Sequence, residues 1–238
     1  MVLVILFTTL AVFLSAIIRQ VSGFGFALVS MPLITMIVGI RVATPLVAIA
    51  ATTVGLLMIT SNWQQADRRI LLQLCASALF GVPLGVVLFG YLPEEWVKRG
   101  LGALLISYSI FALVQPKLPL VKNGLLTAVS GFFSGVLTGA YNTGGPPVVV
   151  YGTLRHWPPH QFRATLQLFF LIVTGMAMIG QGLAGLWTGE VWWLYLYSLP
   201  GLLLGQFLGD RIHHMIPRHL FNRLIYGMLI VSGLIFFL

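Results

Sequence analysis

Charged residues are so sparse in this chain that apolar stretches run between them almost unbroken. The stretches fall near 2–18, 24–40, 44–61, 70–91, 97–114, 122–140, 145–155, 163–182, 191–209 and 219–238. Most come close to the roughly 20 residues an α-helix needs to cross the hydrocarbon of a bilayer. Only 8% of residues are charged, 58% are hydrophobic, and the mean hydropathy is +0.99. A soluble domain carries about a quarter charged residues, so a water-soluble globule is excluded. A transmembrane barrel would alternate polar and apolar residues in short segments, whereas these runs are apolar on all faces. What remains is an all-α polytopic membrane protein, because helices satisfy their own backbone in lipid.

The formal net charge of +8 would suggest nucleic acid in a soluble protein. Here the basic residues stand singly or in pairs between apolar runs and read as topology signals, so no nucleic-acid partner is expected. Cys75 is the single cysteine, which excludes a disulfide framework. The first segment lacks a basic leader and a cleavage site and is expected to stay as a span. His156, His160, His213, His214 and His219 lie in two loops without a carboxylate to complete a metal site, and no serine, histidine and carboxylate arrangement has catalytic spacing. The reading is therefore neither an enzyme nor a cofactor protein. Trp187, Trp192, Trp193, Tyr195 and Tyr197, with Trp157, read as an interfacial aromatic belt.

The two halves resemble each other. Ser22-Gly23 faces Thr138-Gly139, Pro32 faces Pro147, and Ala43-Thr44 matches Ala164-Thr165. Gly81 and Gly85 match Gly201 and Gly205, Leu92-Pro93 matches Ile216-Pro217, and Arg99 matches Arg223. The chain reads as an internal duplication of about five helical segments per half, with repeats at 1–115 and 116–238. Duplicated groups of membrane helices are how many secondary transporters are built, with the substrate near the midplane where repeats meet. If all ten segments cross, Arg19, Arg68, Arg69, Lys117, Lys122, Arg155, Arg163, Arg211, Arg218 and Arg223 share one side, against Arg41, Lys98 and Arg99 on the other. The rich side is expected to be cytoplasmic and the repeats inverted. Re-entrant short segments would make the repeats parallel.

The short segments 24–40 and 145–155 are each entered through a glycine-rich turn, and both read as half-helices. Where a helix breaks inside a membrane protein, its free amides and the positive end of its dipole suit a small oxyanion. The expected binding residues are Ser22, Gly23, Phe24 and Gly25 in the first turn and Thr138, Gly139, Tyr141, Asn142, Thr143, Gly144 and Gly145 in the second. Pro146 and Pro147 fit the first turn of a helix, where a missing amide costs little. Arg163 and Gln167, one turn apart, are added as a steering charge and a lining amide; Thr44 and Thr165 could line the path or simply bond back to their own helices. The GxxxG steps Gly131-Gly135-Gly139 and Gly201-Gly205-Gly209 are assigned to helix packing, and exposed faces of this kind leave room for a homodimer. Asp67, Glu94, Glu95, Glu190 and Asp210 all sit in loops or at helix ends, so cation coupling has no support.

The segments SGFGFALVSMPLI and GFFSGVLTGAYNTGGPPVVVY, with Phe162-Arg163-Ala164-Thr165, are similar to those of the sulfite exporter TauE/SafE family of anion permeases, over essentially the whole chain. The resemblance implies a bacterial inner-membrane carrier of sulfite, sulfonates or related sulfur anions, often directed outward. The first turn departs from the pattern by lacking a glycine-proline pair like Gly145-Pro146, which implies an asymmetric site weighted toward Asn142–Gly145.

Overall fold

The computed structural model describes residues 2–22, 25–58, 64–114, 120, 123–212 and 218–237, and among these the regular structure is all helix, with no strand. Ten helices follow the apolar runs: α1 (Val2–Ser22), α2 (Phe26–Val38), α3 (Ile40–Leu57), α4 (Arg68–Tyr91), α5 (Glu94–Val114), α6 (Gly124–Tyr141), α7 (Gly145–Leu154), α8 (Pro159–Leu183), α9 (Gly189–Ile212) and α10 (Arg218–Ile235). Each boundary lies within a few residues of the run that predicted it, because charges and Gly/Pro pairs set both. Counted over the described residues alone, seven helices, α1, α3, α4, α5, α6, α8 and α9, are long and apolar enough to cross a membrane. The chain is a multi-pass membrane protein. At 1.5 Å per residue α2 and α7, with 13 and 10 residues, reach only about 20 and 15 Å.

The helices group into two compact units, each drawing on both halves of the sequence. The first comprises α1, α2, α3 as far as Ala50, α5, α9 and α10; the second comprises the rest of α3 with α4, α6, α7 and α8.

In the second unit α4 lies along α6 so closely that the backbones touch. A Cβ on Gly81 would overlap the Phe132 carbonyl, one on Gly85 the Val136 carbonyl, and one on Gly139 the Val82 carbonyl. Gly131 and Gly135 meet Leu74 and Ala78 in the same way. In the first unit α9 lies along α1 by the same device. Gly201 meets Thr9, Gly205 meets Phe13 and Ala16, and Gly209 meets Ile17 and Gln20. Both GxxxG faces are thus packing faces, as small residues allow in a membrane. They are spent inside the units and are not open to a second copy.

The matched glycines Gly81/Gly201 and Gly85/Gly205 therefore do the same work in the two units, each receiving the first helix of the opposite half. The helices they receive match in a register different from that read in the sequence. Thr9 plays the part of Phe132 and Phe13 that of Val136, a constant separation of 123 positions, whereas Ser22-Gly23 and Thr138-Gly139 are 116 apart. Side-chain packing responds to contact between backbones, while the sequence comparison responded to the glycines of turns.

Polar contacts close the ends. Asp67 Oδ1 accepts the Ile70 N–H at 3.1 Å at the start of α4, and the Asp67 N–H donates to Thr165 Oγ1 at 3.2 Å. Thr165 thus ties α8 to the entry of α4 rather than bonding back to its own helix. Arg41 donates to the Leu92 carbonyl at 2.9 Å, and Lys98 pairs with Glu94 at 2.7 Å. Arg211 stacks over the Phe207 ring at 4.4 Å. Trp187, Trp192 and Tyr195 pack edge to face, but Trp157 is wedged between Tyr151 and Phe162 and closes the α7–α8 loop instead of joining that cluster.

Candidate functional site: the break between α6 and α7

α6 stops at Tyr141 because Asn142 turns left-handed, at φ 56° and ψ 15°, a conformation asparagine tolerates better than most residues. The Asn142 N–H still reaches the Thr138 carbonyl at 2.8 Å. Three residues later α7 begins at Gly145, with proline in its first turn as the sequence suggested.

The chain then doubles back. Ser134 Oγ donates to the Gly144 carbonyl, and further along Thr127 Oγ1 and Tyr151 OH lie 2.7 Å apart, so sequence separation grows steadily from the turn. Ser134 stands ten residues into α6, about 15 Å from its start, so the break leaves the end of that helix at Asn142 and brings Gly144 back beside its middle. Gly144 has to be glycine here: a Cβ would overlap Thr138 Oγ1 and the Ser134 carbonyl.

The result is a polar turn held inside apolar helices. Ser134, Thr138, Asn142 and Thr143 are buried, with Asn142 only 5% and Thr143 only 1% exposed. Thr138 Oγ1 donates to the Ser134 carbonyl at 2.7 Å, but Thr143 Oγ1 has no hydrogen-bond partner among the described residues. The N-terminus of α7 has no side-chain cap. Pro146 and Pro147 lack amides, which leaves those of Gly145 and Val148 in the first turn beside the positive end of the helix dipole. Neutral donors around a helix N-terminus can hold a small oxyanion without a full charge.

The structure brings Thr138, Gly139, Tyr141, Asn142, Thr143, Gly144 and Gly145 together in this break. Gly139 serves it indirectly, through its close approach to α4 and a carbonyl that accepts from Gln181 Nε2 at 3.2 Å. Tyr141 is half-buried. Arg163 and Gln167 are not brought to it. Arg163 is exposed and Gln167 half-buried near the start of α8, about 27 and 21 Å of helix from Gln181, the α8 residue that does reach α6. Of the first turn, Ser22 ends α1, and Gly25 is left-handed at φ 98° ahead of α2, its carbonyl accepting from Val29 at 3.2 Å. Gly23 and Phe24 lie outside the described residues, as do Lys117, Lys122, His213, His214, Ile216 and Pro217. Thr44 is buried in α3.

Sequence reasoning passed over three residues. Ser134 and Gln181 are ordinary polar interruptions of apolar runs, and only the fold shows them holding the turn. Arg19 was counted as a topology charge, yet its side chain is 6% exposed.

A family model described as sulfite exporter TauE/SafE matches residues 8–236. The chain belongs to that family. A curated relative, the probable sulfite/organosulfonate exporter TauE of Cupriavidus necator, is 23% identical over 221 residues, which cover 90% of this chain and 86% of the relative. No solved structure matches the chain. As a TauE/SafE member the chain is a membrane exporter of sulfur-containing anions.

Proposed function

We propose that this TauE/SafE protein exports sulfite across the bacterial inner membrane by alternating access of two inverted repeats, with the anion held at the glycine-rich helix breaks. The observation that carries the reading is the buried turn at Asn142–Gly145, with its Thr143 hydroxyl and uncapped helix start. Asn142, Thr143, Gly144 and Gly145 make the main contact, with Thr138, Gly139 and Tyr141 shaping it. Ser22, Gly23, Phe24 and Gly25 form the corresponding station of the first half. Arg163, exposed on α8, draws anions from solution, and Gln167 lies on their path.

A neutral cradle suits transport, since binding has to be weak enough for release. Outward movement needs no coupled cation. With the interior negative, each negative charge leaving gains about 2.3 kcal/mol per 100 mV.

The test is sulfite efflux from proteoliposomes of the purified protein under an imposed potential. Potential-dependent flux that Asn142→Ala abolishes supports the reading; sulfite flux no greater than in empty liposomes refutes it. An organosulfonate is the second reading, because it presents the same charged sulfur-oxygen face and the Cupriavidus relative is named for both cargoes. Transport of a larger sulfonate with no sulfite flux would select it.

A further inference from the structure

Gln181 is completely buried in α8, and its side-chain oxygen has no hydrogen-bond partner among the described residues. Its nitrogen has one: Nε2 donates to the Gly139 carbonyl at 3.2 Å. That carbonyl only accepts, so the amide is fixed this way round and Oε1 stays an acceptor without a donor. Buried polar groups are almost always satisfied, and each exception calls for an explanation.

The same bond places the amide at the α6–α7 break. In a continuing helix the Gly139 carbonyl would take the N–H of Thr143, four residues on. The turn carries that N–H to the Leu137 carbonyl instead, at 3.4 Å, and Gln181 Nε2 fills the place it leaves. Oε1 shares the planar amide with Nε2, about 2.3 Å away, so it lies within about 5.5 Å of the Gly139 carbonyl oxygen. The Thr143 side chain, 1% exposed, also has its hydroxyl without a partner among the described residues.

Acceptors and donors stand side by side here. Because the chain doubles back, the C-terminal end of α6 and the N-terminal end of α7 face the same way. The carbonyls of Ala140 and Tyr141 close α6 beyond the reach of its own N–H groups, and the amides of Gly145 and Val148 open α7. A bare oxyanion matches only the α7 side, since carbonyl oxygens and Gln181 Oε1 offer it no hydrogen. An oxyanion that keeps one O–H matches both.

The proton has to arrive with the anion. Asp67 is the only carboxylate in the second unit, and it is held at the start of α4 against Thr165, about 24 Å of α8 from Gln181. Arg68, Arg69, His160 and Arg163 stand near the starts of α4 and α8, at that same end. Cys75 and Tyr151 lie along the first half of α6, by Gly131 and Thr127, and Tyr91 is exposed at the end of α4. Tyr141 alone is at the break, and a phenol keeps its proton through the neutral range. Sulfite itself takes up a proton near neutrality to become the monovalent hydrogen sulfite.

We propose that the α6–α7 break binds hydrogen sulfite, with the anion's O–H donated to Gln181 Oε1 and its other oxygens held by the Thr143 hydroxyl and the amides that open α7. This rests on the sulfite reading above and adds to it the protonation state carried and the residue that separates sulfite from an organosulfonate, which has no O–H on sulfur. Sites that hydrogen-bond a substrate hydroxyl reject analogues lacking it, because their own buried group is then left unpaired.

The experiment measures efflux of sulfite and of methanesulfonate from proteoliposomes of the parent, Gln181→Leu and Thr143→Val, with the internal pH varied from about 6 to about 9. In the parent, KM in total sulfite is expected to rise about tenfold per pH unit above neutrality, as hydrogen sulfite is depleted. Methanesulfonate, of the same charge, should show a KM independent of pH and at least about tenfold above that of sulfite at about pH 6. Gln181→Leu should bring the two values within about threefold of each other, while Thr143→Val raises both by a similar factor. Because the readout is a ratio, a general loss of folded protein does not move it. Sulfite flux with a KM independent of pH, equal KM for the two anions in the parent, or an unchanged ratio in Gln181→Leu overturns this inference and leaves the sulfite reading standing. A parent that moves no sulfite at any pH overturns the sulfite reading itself. Should Gln181→Leu not yield folded protein, the parent's pH profile and its sulfonate comparison decide.

Discussion

Gln181 donates its side-chain N–H to the carbonyl of Gly139 at 3.2 Å, tying the last turns of α8 to the end of α6. Gln181 is completely buried, so the bond has no water to replace it. Replacing Gln181 with leucine leaves a buried carbonyl without a donor, at a cost of about 1–3 kcal/mol. The expected outcome is a lower melting temperature in detergent and reduced sulfite flux; a variant that melts like the parent would show that this bond contributes nothing.

Gly144→Ala places a methyl group where Thr138 Oγ1 and the Ser134 carbonyl already lie. The turn has to open, and flux should fall more than tenfold even where folded protein is recovered, an estimate from overpacking of about 1–3 kcal/mol. Gly175→Ala is the control, since nothing lies within 4 Å of its Cβ position. It should stay within about 0.5 kcal/mol of the parent.

Substitution of the packing glycines tests the fold rather than the site. Gly85→Val drives a side chain into the Val136 carbonyl, and Gly205→Val does the same at Phe13. Each is expected to cost at least about 1–3 kcal/mol and to lower the yield of monodisperse protein, whereas Gly90→Ala, in open space, should be silent. Because these faces are filled within the units, size-exclusion profiles of the surviving protein should show no change in oligomeric state.

Arg163 is exposed and far along α8 from the α6 contact. If it steers anions, Arg163→Gln lowers flux at low sulfite and low ionic strength but leaves the maximal rate unchanged. Raising salt toward physiological strength should erase the difference, because exposed charges are then screened within about 8 Å. A reduced maximal rate would instead place Arg163 in contact with the bound anion.

The helices were legible because lipid leaves the backbone no alternative and because charges, prolines and glycines punctuate the runs. The second glycine-rich turn was legible for a related reason: Gly144-Gly145-Pro146-Pro147 cannot continue α6, and Pro146-Pro147 fits the start of a new helix. Gln181 was not legible, since an amide in an apolar run looks the same whether it faces a carbonyl or a neighbouring side chain. The burial of Arg19 was not legible for the same reason, as a basic residue near a helix end looks the same in sequence whether a neighbouring helix covers it or not.

By itself, then, the sequence determined that this chain is a set of membrane helices with two short ones after glycine-rich turns, since apolar length and backbone-breaking residues act locally. Only the tertiary structure decided that α6 pairs with α4 and α1 with α9, that the two pairs share a register 123 positions apart, and that Arg19 is buried while Arg163 is exposed. Those outcomes depend on which small residues meet across helices distant in sequence. In a chain apolar on nearly every face, periodicity carries no mark of which face will be covered.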